Sequence, residues 1–404
     1  MQKKYISTNA PQRFEELDSL RGVAALIVVI YHCVLLLEIR PLWIQRTIAS
    51  PLGLLTFGGP QAVILFFLLS GFVLYLPYTR SAVARPYSKF IIKRICRIYI
   101  PYLVATAFAV LVYRLSFRPH LPVGVSSLYG WKVMSAKDLL LSIGGHILFI
   151  GWPLDRGALN GVTWTLADEM RISFVFPWIA LAVLRWKTRS ALLVGLLVSC
   201  LVTVAIRVTH HGSPFETAHF AAIFLLGAVV ASRWEALRDF WKAQGTAVRI
   251  FMLAVAYLAC AYAKTVHDSY PTLLSSELAD WIIGIGASVF LIAAMSGGPF
   301  ARTLRHPALA RLGTWSYGVY LLHLPILFVC VDWLWRRSPT PLAYLVMLPT
   351  TIIAAALFYR FVEQPSIALG KRLTASPGAP TPRGVGKATP SSTTARPTAV
   401  LTQV

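Results

Sequence analysis

Charge is what this chain has least of. Only 13% of its 404 residues are Asp, Glu, Lys or Arg, roughly half the share of an ordinary soluble domain. With 56% hydrophobic residues and a mean hydropathy of +0.64, the chain has too little polar surface to dissolve as a globule. Acidic residues are scarcer still, 16 against 38 Lys and Arg, for a net charge of +22. In a soluble protein that excess would point to nucleic acid. Here the basic residues cluster between apolar runs, which excludes a nucleic-acid partner and marks topology and contact with an anionic lipid bilayer. The five cysteines, Cys33, Cys96, Cys200, Cys260 and Cys330, form no C-x-x-C pair and no metal-ligand spacing, so they read as free thiols packed like small hydrophobes. Residues 1–18 lack the small-residue cleavage site of a signal peptide, so a cytoplasmic N-terminal segment should lead into an uncleaved first span. No internal repeat of the kind that marks many secondary transporters is visible.

What is present is a series of apolar runs near 19–37, 60–78, 99–117, 164–184, 191–206, 217–232, 248–264, 280–296, 313–335 and 341–361. Each approaches the ~20 residues needed to cross a bilayer. The expected fold is an all-α polytopic integral membrane helical bundle of about ten transmembrane helices. A shorter run, Leu139 to Gly151, carries Gly144, Gly145 and His146. It is expected to be re-entrant or interfacial, because only then do the basic loops at 79–98, 185–190, 233–249 and 297–312 share one side. Both termini then lie in the cytoplasm. The transmembrane domain is expected over 19–366. The Pro-, Ser-, Thr- and Ala-rich segment 374–404 has no apolar periodicity and is expected to be a disordered tail.

Chemistry-bearing residues inside apolar runs are expensive and therefore informative. Arg21 and His32 lie eleven positions apart in the first run, which at 100° per residue returns them to one face about 16 Å apart. Singly they read as a snorkelling anchor and a packing residue; together they mark one vertical path. Glu169 stands beside Asp168 behind Trp164 at the expected outer start of the fourth span, placed to orient His32 or to bind an acceptor. Pairing with Arg171 at i, i+2 is disfavoured because those positions face apart. His323 lies in the ninth run. Ser70 lacks a nucleophile elbow and reads as packing. His210, His211, Glu216 and His219 lack a regular ligand pattern, so no metal is expected.

Several motifs in fixed order carry a resemblance. They are L-D-S-L-R-G with R-x10-H in the first span, F-F-L-L-S-G-F at Phe66 to Phe72, and K-R-I-C-R-I-Y-I-P-Y at Lys93 to Tyr102. T-W-T-L-A-D-E follows from Thr163, S-Y-G-V-Y-L-L-H-L-P runs from Ser316 to Pro325, and Phe361, Glu363 and Pro365 close the series. The set resembles acyltransferase family 3, the membrane O-acyltransferases that modify O-antigen, Nod factors and exopolysaccharides, over roughly residues 13–366. Ile172 and Ser173 depart from the aromatic pair usual after the Glu, and Met170 and Arg171 from more usual polar residues. The resemblance implies an acyl-CoA cosubstrate, usually acetyl-CoA, approached from the cytoplasm, no permanently bound cofactor, and a carbohydrate or glycolipid hydroxyl as acceptor. It also implies a bacterial inner membrane.

On that reading His32 and Glu169 are the catalytic candidates and Arg21, Arg94 and Arg97 the donor-phosphate ligands. Asp18, Trp164, Tyr320 and His323 form a second tier. His32 would act as general base, histidine being suited to it by its unperturbed pKa. A transient acyl-histidine stays open beside direct transfer, which is favoured. The alternatives are a transporter or flippase of an acyl donor or lipid-linked sugar, a non-catalytic scaffold, and a lipid or small-molecule O-acyltransferase. The oligomeric state is left open.

Overall fold

The computed structural model describes residues 14–37, 42–50, 53, 57–80, 86–117, 125–126, 134–148, 159–209, 213–335 and 341–375. Helices account for nearly all of it. They are α1 (Glu15–Leu35), α2 (Leu42–Ala49), α3 (Gly59–Arg80), α4 (Tyr87–Arg94), α5 (Ile100–Ser116), α6 (Ala136–Leu148), α7 (Trp164–Arg185) and α8 (Thr188–Thr209). Then come α9 (Ser213–Ser232), α10 (Trp234–Ala243), α11 (Thr246–Ser269), α12 (Ser276–Met295), α13 (Pro299–Leu304), α14 (Pro307–Cys330), α15 (Pro341–Phe358) and α16 (Gln364–Thr374). One π turn, Ile95–Tyr99, joins α4 to α5; a second, Val331–Trp335, extends α14; a third, Tyr359–Glu363, joins α15 to α16. A single antiparallel bridge, Leu37 to Val125, is the only extended pairing among the described residues.

Nine helical segments among the described residues are long and apolar enough to cross a membrane. The tenth expected span, α7, is as long, at 22 residues, but carries Asp168, Glu169 and Arg171 in its first half. The protein is an all-α polytopic membrane bundle. Its outward surface fits lipid: Leu193, Leu197, Leu201, Val204 and Val208 form an exposed apolar stripe along α8 at i, i+4 and i, i+3 spacing. An amphipathic helix in water would turn such a stripe inward.

Helix α1 starts with Glu15, Glu16 and Asp18 in its first turn, where acidic groups complement the helix dipole. It runs parallel to α14. A Cβ on Gly22 would lie 2.6 Å from Gly313 N, and one on Gly313 would lie 2.2 Å from Asp18 O. Only two glycines allow backbones that close. The same register, carried ten residues further along both helices, sets His32 against His323. Two apolar cores flank this pair of helices. One includes Ala25, Val28, Tyr102, Leu321, Leu327 and Phe358 from α1, α5, α14 and α15. The other includes Leu68, Phe72, Phe176, Ile223, Phe224 and Ile283 from α3, α7, α9 and α12.

The short segment ahead of α7 departs from a simple span. Helix α6 has 13 residues, too few to cross. After it, Leu159, Asn160, Val162 and Thr163 are buried, and Asn160 Nδ2 donates to Leu321 O at 2.8 Å. Leu321 lies about 21 Å along α14 from Pro307. Helix α7 therefore starts inside the bundle, not at an outer edge. The expected limits also shift: helix begins at Glu15 rather than 19, and α16 continues past 366 to Thr374. The tail expected from 374 lies outside the described residues save Thr374 and Ala375, as do residues 1–13.

Candidate active site

Because α7 starts deep, Glu169 meets the start of the third span. Arg94 Nη2 donates to Glu169 Oε1 at 2.7 Å, Arg94 Nε donates to Ser173 Oγ at 3.0 Å, and Ser70 Oγ donates to the same Glu169 oxygen at 3.3 Å. Ser173 Oγ in turn donates to Glu169 O, four residues back. A buried guanidinium is tolerable only with such partners, and Arg94 is 8% exposed. This corrects two expectations. Glu169 is not poised at an outer surface to orient His32, because its helix begins further in. Ser70 is not mere packing, although it serves as a hydrogen-bond donor and not as a nucleophile.

Arg21 enters the same neighbourhood from α1. It feels the positive charges of Arg97 and Arg94 and the negative charges of Glu169 and Asp18. Arg97, one turn beyond Arg94, is exposed. The structure thus brings Arg21, Arg94, Arg97, Asp18 and Glu169 into one charged group. Glu363 joins it through Arg97, and Tyr317 lies in range of Glu169, Glu363 and Arg94.

From that group a polar stripe climbs α14. Tyr317, Tyr320 and His323 follow at three-residue intervals, so they share a face. Tyr317 OH donates to Ile98 O at 2.8 Å; Tyr320 OH lies 2.8 Å from Thr165 Oγ1 and packs edge-on against Phe66. His323, fully buried, ends the stripe. Its Nδ1 donates to Val319 O at 3.1 Å, which leaves Nε2 as an acceptor, 3.2 Å from His32 Nδ1. His32 Nδ1 also lies 2.8 Å from Val28 O. A carbonyl only accepts, so the proton of His32 belongs on Nδ1, and Nε2 is its basic nitrogen.

The remaining candidates fall elsewhere. Trp164 packs on Phe67 and Phe220. Asp168 pairs with Arg171 at 3.1 Å, an i, i+3 contact, and accepts from Thr217 Oγ1 at 2.5 Å. His219 is not a metal ligand candidate: its Nδ1 is 2.9 Å from Ser199 Oγ and its Nε2 is 3.2 Å from Asp280 Oδ2, while Lys264 Nζ pairs with Asp280 Oδ1 at 2.7 Å. No group of three or more metal-type ligands occurs among the described residues, and His210 and His211 lie outside them. Sequence reading missed Glu363 and Ser173 as polar members of the site. Ser173, four residues after Glu169 on the same helix face, was the signal available.

Comparison with known proteins places the chain in a family. The profile of the acyltransferase domain, family 3, matches residues 14–360. The chain belongs to this family. It is a membrane acyltransferase, and the transporter and scaffold alternatives fall away. Nodulation protein 10 of Rhizobium leguminosarum bv. viciae is 24% identical over 342 residues, 80% of this chain and 85% of that protein. Acyltransferase MdmB of Streptomyces mycarofaciens is 27% identical over 392 residues, 89% of this chain and 93% of that protein. Peptidoglycan O-acetyltransferase OatA of Listeria monocytogenes is 23% identical over 377 residues, 86% of this chain but only 55% of that longer protein. No solved structure matches the acyltransferase significantly.

Proposed function

We propose that this acyltransferase moves an acetyl group from acetyl-CoA to a hydroxyl of a cell-surface carbohydrate or glycolipid. The observation that carries the reading is the polar stripe that runs from the arginine group to the paired histidines. Arg21, Arg94 and Arg97 hold the donor's phosphates through charge-assisted, forked hydrogen bonds. Glu169 fixes Arg94 and is a positioning group more than a base. The pantetheine arm then follows Tyr317 and Tyr320 toward His32. Asp18 tunes Arg21, and Trp164 packs the helix that carries Glu169.

At the histidines, the acceptor hydroxyl gives its proton to His32 Nε2 as its oxygen bonds to the thioester carbonyl carbon. The carbon–sulfur bond breaks, and the leaving thiolate takes the proton from His32, so the products are an ester and free CoA. His323 steadies the imidazole through Nδ1. Direct transfer of this kind needs no acyl-enzyme. The basic loops support an orientation with the arginine group and both termini on the cytoplasmic side, where CoA is available. The relatives named as O-acetyltransferases and nodulation proteins support an acetyl donor and a surface acceptor.

Mass spectrometry of surface glycans tests this reading. Cells lacking the protein are complemented with wild type or His32→Ala, with membrane levels of both checked. Wild type alone should restore an acetyl-sized mass, while restoration by both would remove His32 from the reaction. Restoration by neither would exclude the glycan acceptor.

A further inference from the structure

Glu363 takes no part in the steps above, yet it is placed where a carboxylate is costly. It is 6% exposed, and its Oε1 has no hydrogen-bond partner among the described residues. The carboxyl accepts one backbone N–H, from Gly318, and so incomplete a set of partners is costly for a buried carboxylate unless another group uses its charge. The cation acting on it is Arg97.

Both residues sit on π turns, Arg97 in Ile95–Tyr99 and Glu363 in Tyr359–Glu363. A π turn carries one extra residue and re-aims the side chains around it, and such turns are frequent at functional sites. Helix α16, which continues directly from the second turn, is pressed against the first: a Cβ on Gly370 would lie 2.9 Å from the Cβ of Cys96, the residue before Arg97. The two arginines are therefore held differently. Arg94 is locked onto Glu169 by direct contact at 2.7 Å. Arg97 is exposed and faces Glu363 without a closed ion pair among the described residues. Its guanidinium is aimed by a charge but keeps its N–H groups for a ligand.

We propose that Glu363 is a positioning residue for Arg97, holding its guanidinium at the phosphate edge of the donor site through the docking of α16 on the π turn that carries Arg97. This rests on the reading of Arg97 as a donor ligand. It explains why an acidic side chain is buried at the end of the last span, where nothing in the transfer chemistry itself requires one.

The test is equilibrium binding of radiolabelled acetyl-CoA to the full chain purified in lipid nanodiscs, for wild type, Arg97→Gln, Glu363→Gln, the double variant and Glu363→Asp. Size-exclusion profiles confirm folded protein. Glu363→Gln and Arg97→Gln should each raise Kd about tenfold, and the double variant should bind no more weakly than Arg97→Gln alone. Glu363→Asp, which keeps the charge, should recover much of the affinity. Equal weakening by Glu363→Gln with and without Arg97 would overturn the inference while leaving the donor reading intact, as would wild-type affinity in Glu363→Gln. An unchanged Kd for Arg97→Gln would overturn the donor reading of Arg97 and the inference with it.

Discussion

Arg94 donates from two different nitrogens to two acceptors on α7, Ser173 Oγ through Nε and Glu169 Oε1 through Nη2. A lysine carries the charge but not the fork. Arg94→Lys should therefore release Ser173 and Glu169 and raise the KM for donor about tenfold, read by steady-state transfer in isolated membranes at saturating acceptor. At this scale the sequence was legible where an ionisable residue stood alone in an apolar run. Arg21, His32 and His323 announced themselves in that way. Glu363 did not, because only the docking of α16 on the turn that carries Arg97 brings its charge within range of that arginine. Nor did the true partner of Glu169, which depends on how deep its helix begins.

Helix pairs explain why these side chains meet. The Gly22–Gly313 crossing fixes the parallel register of α1 and α14, and the histidine pair follows from it ten residues further on. Gly22→Ala would place a methyl 2.6 Å from backbone that cannot step aside, so the helices must part. The expected result is full insertion with transfer reduced at least tenfold, measured by membrane level and product formation together. A second set of helices is tied by the Lys264–Asp280–His219 network between α9, α11 and α12. Asp280→Ala would leave part-buried Lys264 with Ser276 alone and buried His219 with Ser199 alone, and thermal unfolding in detergent should show a loss of about 1–3 kcal/mol with the donor KM unchanged. Existence and order of the spans were readable from apolar run length. The depth of α7 was not, since run length does not record that Leu159 to Thr163 fold into the bundle ahead of it.

For the whole molecule, alternating crossings by the ten long helical stretches among the described residues should gather the ends of α3, α7, α9, α12 and α16 and the starts of α1, α4, α8, α11 and α14 on one side. The basic loops between them should face the cytoplasm. A cysteine placed at position 211, between α8 and α9, should then react with an impermeant thiol reagent added outside intact cells, in a background with the native cysteines removed. Labelling only after permeabilisation would reverse or break this topology. The six ordered motifs read in the sequence covered nearly the whole described bundle, which is why fold and family could be read together. The arrangement of the charged group could not, because its members come from α1, the α4–α5 junction, α7 and the α15–α16 junction.

The partnership of α1 with α14 joins the first span made to the ninth. At typical translation rates of about 5–20 residues per second, nearly three hundred residues separate them by roughly 15–60 s. Throughout that interval α1 resides in the membrane with Arg21 and His32 lacking the helix that shields them. On the proposed chemistry, a ribosome-bound fragment that stops short of α14 should carry no transfer activity.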